Sequence, residues 1–454
     1  MSETTPAPTR VTTQAFVNKD PVEIDLSKPA PFGWYAAIVI ALVAFIDRVE
    51  VSLVAGALPV IQDHFGFSDT VAGLIPTSAA LASIVLLLPA GKLADSGRRT
   101  WIIALVVLVW SICSVLSGLA TTFALFFATR ILLGAAAQLY NPPASSLLAD
   151  YYPSRSRAKA FGLERAGFYT GLPAGVALGG ILAEILGWRA VFFIVAIPGV
   201  LVAALVLTLR EPIRGIGDRL DVLRGAPVEP GTEPAVITGQ AGTVLKEALA
   251  LLKIRTLKSL ALALGLLYLG LAGLFFWLTA FLERTYDLNA DSAAGLTGGV
   301  GGTGIVLGIV IGSRIGDRTE GVKPAHRIRT GWTFLLIGAI ALTATVLAPT
   351  LWVAVVAIAA ACIGFAGAIP NLTAASADVV PAVRRGMGFA LLQFLLSLGG
   401  AMGPLVIGLT SDVAGSLRIG MLALLPALVG CLILLPRAAR HYEEDAAVAL
   451  RQAA

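Results

Sequence analysis

The sequence predicts an all-α membrane protein: twelve transmembrane helices in two pseudo-symmetric six-helix bundles. Three observations predict it. Apolar runs of about 20 residues, the length that crosses a bilayer core, recur along most of the chain. Lys and Arg concentrate in alternate short loops, the signature of membrane orientation. One loop pattern recurs six spans apart, as duplicated halves require. The composition agrees: 13% of the 454 residues are charged, about half the share of a soluble domain, and the mean hydropathy is +0.85.

The spans follow in order. Residues 1–32 are polar and rich in Thr and Pro, and read as a disordered cytoplasmic tail rather than a secretory signal. The N-terminal bundle, 33–210, holds apolar runs near 33–58, 70–92, 100–119, 123–147, 160–186 and 189–209. A cytoplasmic central loop, 211–256, begins with the irregular RGIGDRLDVLRGAPVEPGTEPAV; its TVLKEALALLKIRTLKSL places Leu245, Leu249 and Leu252 on one face of an amphipathic helix. The C-terminal bundle, 257–437, has runs near 257–283, 292–314, 328–348, 350–372, 386–410 and 415–436, followed by a cytoplasmic tail, 438–454.

Basic residues orient these spans. Arg98 and Arg99 follow span 2; Arg155, Arg157 and Lys159 follow span 4; Arg318, Lys323, Arg327 and Arg329 follow span 8; Arg384 and Arg385 follow span 10. The alternate loops are nearly bare, with Arg189, Arg284 and Arg418 as exceptions. Both termini are expected on the cytoplasmic side. With no targeting signal, a bacterial inner membrane is the expected location and a monomer the expected state.

Several classes are excluded. Cys113, Cys362 and Cys431 lie singly in apolar runs, and His64, His326 and His441 lie outside them, so neither a disulfide framework nor a metal cluster is predicted. No phosphate-binding Gly-x-x-x-x-Gly-Lys loop occurs, nor a paired nucleophile and His. The chain is therefore expected to be no enzyme, to need no cofactor and to bind no nucleic acid.

The repeated loops are GKLADSGRRTW (91–101) and GSRIGDRTEG (312–321). Each sets small residues and an Asp before basic residues in a tight turn. Gly91 permits close helix approach; Asp95 and Asp317 can pair with Arg98, Arg99 and Arg318 or cap a helix N-terminus. These six form the expected conformational-gating set. With Arg130 and Gly134 in span 4, GLPAGVALGG (171–180), GWRAVFF (187–193) and LREP (209–212), the pattern over 33–437 resembles the major facilitator superfamily. FIDRVEVSLVAGALPVIQDHFGFSD, FFWLTAFLERTYDLNADSAAGLTGGVGGTGIVLGIVIGSRIGDR and ADVVPAVRRGMGFALLQFLLSLGGAMGPLVIGLTSD are similar to spinster-like transporters, which implies proton-linked carriage of lysophospholipids or sphingoid lipids. In two places the sequence departs from the pattern. Ser96 stands where the superfamily usually has Arg, and Ala137 where spinster-like proteins usually have a helix-4 Glu. Anion:cation symporters share a similar Asp-Arg first helix.

VAFIDRVEVSLVAGALP (43–59) puts Asp47, Arg48 and Glu50 inside the first span. A charge at mid-bilayer costs about 3 kcal/mol and persists when paired or facing a cavity. Asp47 lies roughly 20 Å and Arg130 roughly 18 Å from the cytoplasmic side at 1.5 Å per residue, so an Asp47–Arg130 pair is expected. Making and breaking it would link a proton to access; a structural Asp47–Arg48 clamp is the alternative. The proton-coupling candidates are Asp47, Glu50, Arg130 and Glu164, the last also readable as a salt bridge with Arg165. The substrate candidates are Arg48, Gln138, Tyr140 and Asn141, with Tyr268, Trp277, Asn371 and Gln393 in the C-terminal half; interhelical hydrogen bonding is the alternative for the polar residues of span 4.

The function expected is proton-coupled alternating-access transport of a small amphiphilic or anionic molecule, lysophospholipid-like, with protons and the lipid bilayer as partners. An organic-anion/proton symporter, a proton-driven multidrug exporter and a non-transporting membrane sensor are the alternatives.

Overall fold

The computed structural model describes residues 10–17, 19–223, 250–318, 325–381 and 385–451. The described chain is helical apart from one small hairpin. The helices are α1 (Tyr35–Phe65), α2 (Asp69–Ser96), α3 (Arg99–Gly118), α4 (Phe123–Tyr151), α5 (Ser154–Leu186), α6 (Trp188–Leu207), the short α7 (Ile216–Leu223) and α8 (Arg255–Tyr286). Then come α9 (Ala290–Arg318, with a π turn at Thr297–Gly301), α10 (His326–Leu347), α11 (Leu351–Asp378), α12 (Arg385–Ala414), α13 (Leu417–Leu422) and α14 (Leu425–Arg451).

Among the described residues, ten helices are long and apolar enough to cross a membrane. The two that complete the predicted twelve are α1, 31 residues long with Asp47, Arg48 and Glu50 near its centre, and α2, apolar over Asp69–Val85. Breaks fall where the backbone needs a left-handed residue: Gly66 after α1 has φ 66° and Gly187 after α5 has φ 82°, a region open to glycine at no steric cost.

The chain forms two compact units. The first comprises Met1–Val51, Ala82–Leu172 and Phe192–Val236; the second comprises Ser52–Leu81, Pro173–Val191 and Ile237–Ala454. Ile40, Val107, Trp110, Leu147 and Val206 are among the buried side chains that centre the first. In the second, α8 packs on α12 and α14, and α11 on α9 and α10.

Small residues let these backbones touch. A Cβ on Gly399 of α12 would fall on the carbonyl oxygen of Gly265 in α8. At Gly400, next along, the nearest heavy atom to such a Cβ is Ala272 Cβ at 3.8 Å. Gly399→Ala is therefore expected to cost about 1–3 kcal/mol through overpacking. Gly400→Ala should be neutral or slightly stabilising, since Ala favours helix. Thermal unfolding of the two purified variants separates them.

Two expectations need correction. Residues 10–32 are not disordered: Arg10–Thr13 and Val22–Asp25 pair antiparallel, and Ala15, Phe16, Ile24, Leu26 and Ala30 are buried in the first unit's core. Apolar residues spaced singly among polar ones escape a search for long runs, yet each finds a pocket. The first part of the central loop is not irregular throughout either, because Ile216 and Leu220, one turn apart, are buried and form the inner face of α7. The amphipathic helix expected over 243–260 lies largely outside the described residues.

Candidate functional site

In the first unit α1 and α5 approach closely. Cβ atoms on Gly167 and Gly171 would collide with the carbonyls of Ala41 and Phe45, and the Gly171 Cβ would lie 2.9 Å from Arg48 Cβ. That approach sets Arg48 against α5. Its Nε donates to Asp47 Oδ2 at 2.7 Å, and its guanidinium lies 4.6 Å from the centroid of the Phe168 ring. Arg165 faces the same ring at 5.6 Å and pairs with Glu164 at 3.2 Å. Tyr140 of α4 is held edge-on to Trp110 at 5.1 Å. Asp47 and Glu164 are buried, while 22% of the Arg48 side chain and 51% of the Arg165 side chain stay exposed. Two cations sharing one aromatic ring, each with its own acid behind it, can receive an anionic group beside an apolar surface.

Glu50 turns elsewhere. It is 1% exposed, and neither carboxyl oxygen has a hydrogen-bond partner. The Ser114 hydroxyl lies beside it, and Arg130 is the cation whose field reaches it. Gly199 of α6 closes the site, where an added Cβ would stand 3.7 Å from Glu50 Oε1. Arg130 donates through Nη2 to the Ser117 hydroxyl and the Cys113 carbonyl, and lies 4.9 Å from the Phe192 ring centroid. The expected Asp47–Arg130 pair is thus replaced by two sets. Arg48 is long enough to fold back onto its own neighbour in sequence, while Arg130 is held by Ser117, the Cys113 carbonyl and the Phe192 ring, its field reaching Glu50 without a direct bond.

The other candidates separate. Asn141 and Tyr268 are half-buried. Gln393 is exposed and, with Leu264, Thr373, Phe389, Leu392 and Leu396, lines a pocket of about 320 Å³ in the second unit. Trp277 and Asn371 are both buried and bonded within the helix framework. Trp277 Nε1 donates to the Pro404 carbonyl at 2.9 Å, and Asn371 Nδ2 donates to the Gly312 carbonyl at 2.8 Å. The Gln138 side chain lies outside the described residues.

Of the gating set, Arg99 is the centre. It is fully buried; Nε donates to Glu211 at 2.8 Å, Nη1 to Ser146 and Asp150, and Nη2 to the Pro212 carbonyl at 2.7 Å. Glu211 also accepts from the Thr100 amide at 3.0 Å and hydroxyl at 2.9 Å. Burial alone would raise the Glu211 carboxyl; the Thr100 amide and the Arg99 guanidinium outweigh it and hold it below the usual carboxylate range. Arg98 and Arg318 are exposed, and Asp317 reaches Arg327 at 3.5 Å. The surroundings of Gly91 and the side chain of Asp95 lie outside what is described.

A second hub was missed in the sequence. In the second unit Asp69, at the start of α2, accepts from Arg284 Nη1 at 2.8 Å, Arg284 Nη2 at 3.0 Å, Gln62 at 2.8 Å and Ser411 at 2.6 Å. Asp412 accepts from the Asp69 and Thr70 amides at 3.1 and 2.8 Å, capping α2. Arg284 was visible only as a basic residue in an otherwise bare set of loops. The acids that receive it, like Asp150 and Glu211 beside Arg99, carry no sequence signal of partnership.

Known proteins agree with this architecture. A crystal structure of a bacterial homologue of the human lysosomal transporter spinster, inward-facing and unoccupied, is 25% identical, covers 92% of this chain and 97% of its own, and superposes with a TM-score of 0.73. The puromycin resistance protein pur8 of Streptomyces alboniger is 30% identical over 345 residues, 69% of this chain and 66% of that protein. The benzoate transport protein of Acinetobacter baylyi is 29% identical over 195 residues, 42% of each chain. The Major Facilitator Superfamily profile matches residues 40–404. With its fold of apolar spanning helices, the chain is a multi-pass integral membrane protein and belongs to the Major Facilitator Superfamily of transporters, which are not enzymes.

Proposed function

We propose that the protein is a proton-coupled carrier of a small amphiphile with an anionic headgroup, lysophospholipid-like, working by alternating access. The observation that carries this reading is the division of charge on α1. Arg48 is partly exposed on Phe168, whereas Glu50 is sealed away with an unbonded carboxyl beside Arg130. The first arrangement suits a substrate anion. The second suits a proton, since a buried carboxyl with neither oxygen bonded is stable either neutral or with a cation drawn in.

The six-helix halves 33–210 and 257–437 would rock in each transport cycle. The Asp69–Arg284 hub is the contact to be remade in each cycle. Both termini would face the cytoplasm of a bacterial inner membrane, and the carrier would act as a monomer.

A second reading, symport of an aromatic carboxylate, is favoured by the guanidinium–phenyl surface of Arg48, Arg165 and Phe168 and by the benzoate transport protein among the relatives. Internal pH in proteoliposomes decides between them. A lysophosphatidylglycerol gradient is expected to drive proton movement and a benzoate gradient is not. The reverse result transfers the assignment to aromatic anions, and movement with neither refutes both.

A further inference from the structure

Residues 10–32 do more than precede α1. Phe16, between the two strands, forms an antiparallel bridge with Pro212. The Val17 amide donates to the Glu211 carbonyl at 2.9 Å, and the Ile213 amide donates to the Ala15 carbonyl at 2.9 Å. The Phe16 ring packs on Phe32 at 5.1 Å and on Tyr151 at 6.0 Å, with the Arg210 guanidinium 5.6 Å from its centroid. Beyond the hairpin, Arg155 of α5 donates to the carbonyls of Leu26, Ser27 and Lys28.

Residues 211–213 therefore have two faces. On one, the backbone is hydrogen-bonded to the N-terminal segment. On the other, the Glu211 side chain and the Pro212 carbonyl hold Arg99, and Glu211 takes both the amide and the hydroxyl of Thr100. This extended segment lies between α6 and α7, and on its N-terminal face two amide–carbonyl bonds and one buried ring fix its register.

We propose that the N-terminal segment is a strap that positions Glu211 for Arg99, with Phe16 as its anchor, and that transport depends on it through this cluster. Phe16 is a positioning residue: it touches neither the α1 charges nor the apolar pocket. The dependence on transport rests on the carrier reading above; the positioning of Glu211 does not.

The test is amide exchange in the full-length protein in nanodiscs, read at Thr100, whose amide reports where the Glu211 carboxylate sits. Phe16→Ala is expected to speed exchange at Thr100 and Ile213 more than tenfold, while Phe16→Leu, which keeps an apolar anchor, stays within about twofold of the parent. In proteoliposomes given lysophosphatidylglycerol, and separately benzoate, Phe16→Ala should lower kcat per folded carrier at least fivefold, and leave KM unchanged, with whichever of the two the parent protein carries. A strap that merely supported folding would lower the melting temperature and leave kcat per folded carrier alone. Unchanged exchange at Thr100 in Phe16→Ala overturns the proposal. If that variant does not fold, Arg155→Gln, which frees the other end of the strap, is read by the same exchange at Thr100. If neither probe moves protons in the parent protein, the carrier reading fails and the exchange result still decides the strap.

Discussion

Glu50→Gln is expected to abolish substrate-driven proton movement while leaving substrate binding intact. The substitution is isosteric, so the packing against Ser114 and beneath Gly199 survives and no cavity opens. What changes is the ability of the site to exist in two charge states. In the parent protein a proton leaving Glu50 exposes a carboxylate to the Arg130 field, and that guanidinium, whose Nε is itself unbonded, is the group free to respond. An amide is locked in the neutral state, and Arg130 then stays with Ser117 and the Cys113 carbonyl. Asp47→Asn is expected to behave differently: Arg48 loses the acid behind it, so affinity for an anionic substrate shifts while proton coupling persists. Internal-pH measurement in proteoliposomes, paired with equilibrium binding of the same ligand, distinguishes the two variants. Wild-type proton flux in Glu50→Gln would sink the assignment and leave Asp47 and Glu164 as the coupling acids.

Arg99→Ala is expected to destabilise the protein by about 3–5 kcal/mol, the range for breaking a buried ion pair from one side, against a total of about 5–15 kcal/mol for a typical domain. The Arg99 side chain is 0% exposed and serves two carboxylates at once, Asp150 and Glu211. Its removal leaves both acids buried without their cation and the Pro212 carbonyl without its donor. Arg99→Lys should recover little, since a point charge cannot reproduce a fork that reaches Glu211, Ser146, Asp150 and Pro212 together. The pH dependence has a definite sign. Because Glu211 is held below the usual carboxylate range, its contribution to stability is fully present above the ordinary Glu value of about 4.3. It is lost as pH falls through the lowered folded-state value. Thermal midpoints in detergent at fixed salt should therefore show no change from this group between roughly pH 8 and pH 5. An Arg99→Ala midpoint equal to the parent's would overturn the view of Arg99 as the cluster's centre.

The spanning helices were legible because their signal is additive. Twenty apolar residues in a row define a segment whatever they pack against, and α8, whose apolar core was read at 257–283, runs from Arg255 to Tyr286 in the structure. The presence of charge at Asp47, Arg48 and Glu50 was equally plain, because ionisable groups inside an apolar run need a reason to be there. Their partners were not plain. Helical periodicity placed Asp47 and Arg130 at matching depth, but depth constrains only one of three coordinates. It could not say that Arg48 would fold back on Asp47 or that the Gly167 and Gly171 contacts would bring Phe168 to meet it. Trp277 and Asn371 illustrate the same limit: a polar group in a span can face a cavity or a neighbouring carbonyl, and the sequence around it reads the same.

By itself, then, the sequence determined that the chain is built of apolar spanning helices and that α1 carries charge, which follow from hydrophobicity and local spacing, and its motifs pointed to the superfamily. Only the tertiary structure decided which charges meet. It placed Arg48 on Asp47, Arg99 with Asp150 and Glu211, and Asp69 with Arg284, Ser411 and the amide-capping Asp412. It also drew Phe16 out of a polar tail and onto Pro212. The reason is physical. Burial in a membrane is a property of a segment, set by its own composition, whereas a polar contact depends on angstrom-scale approach between residues that stand up to 343 positions apart in the chain.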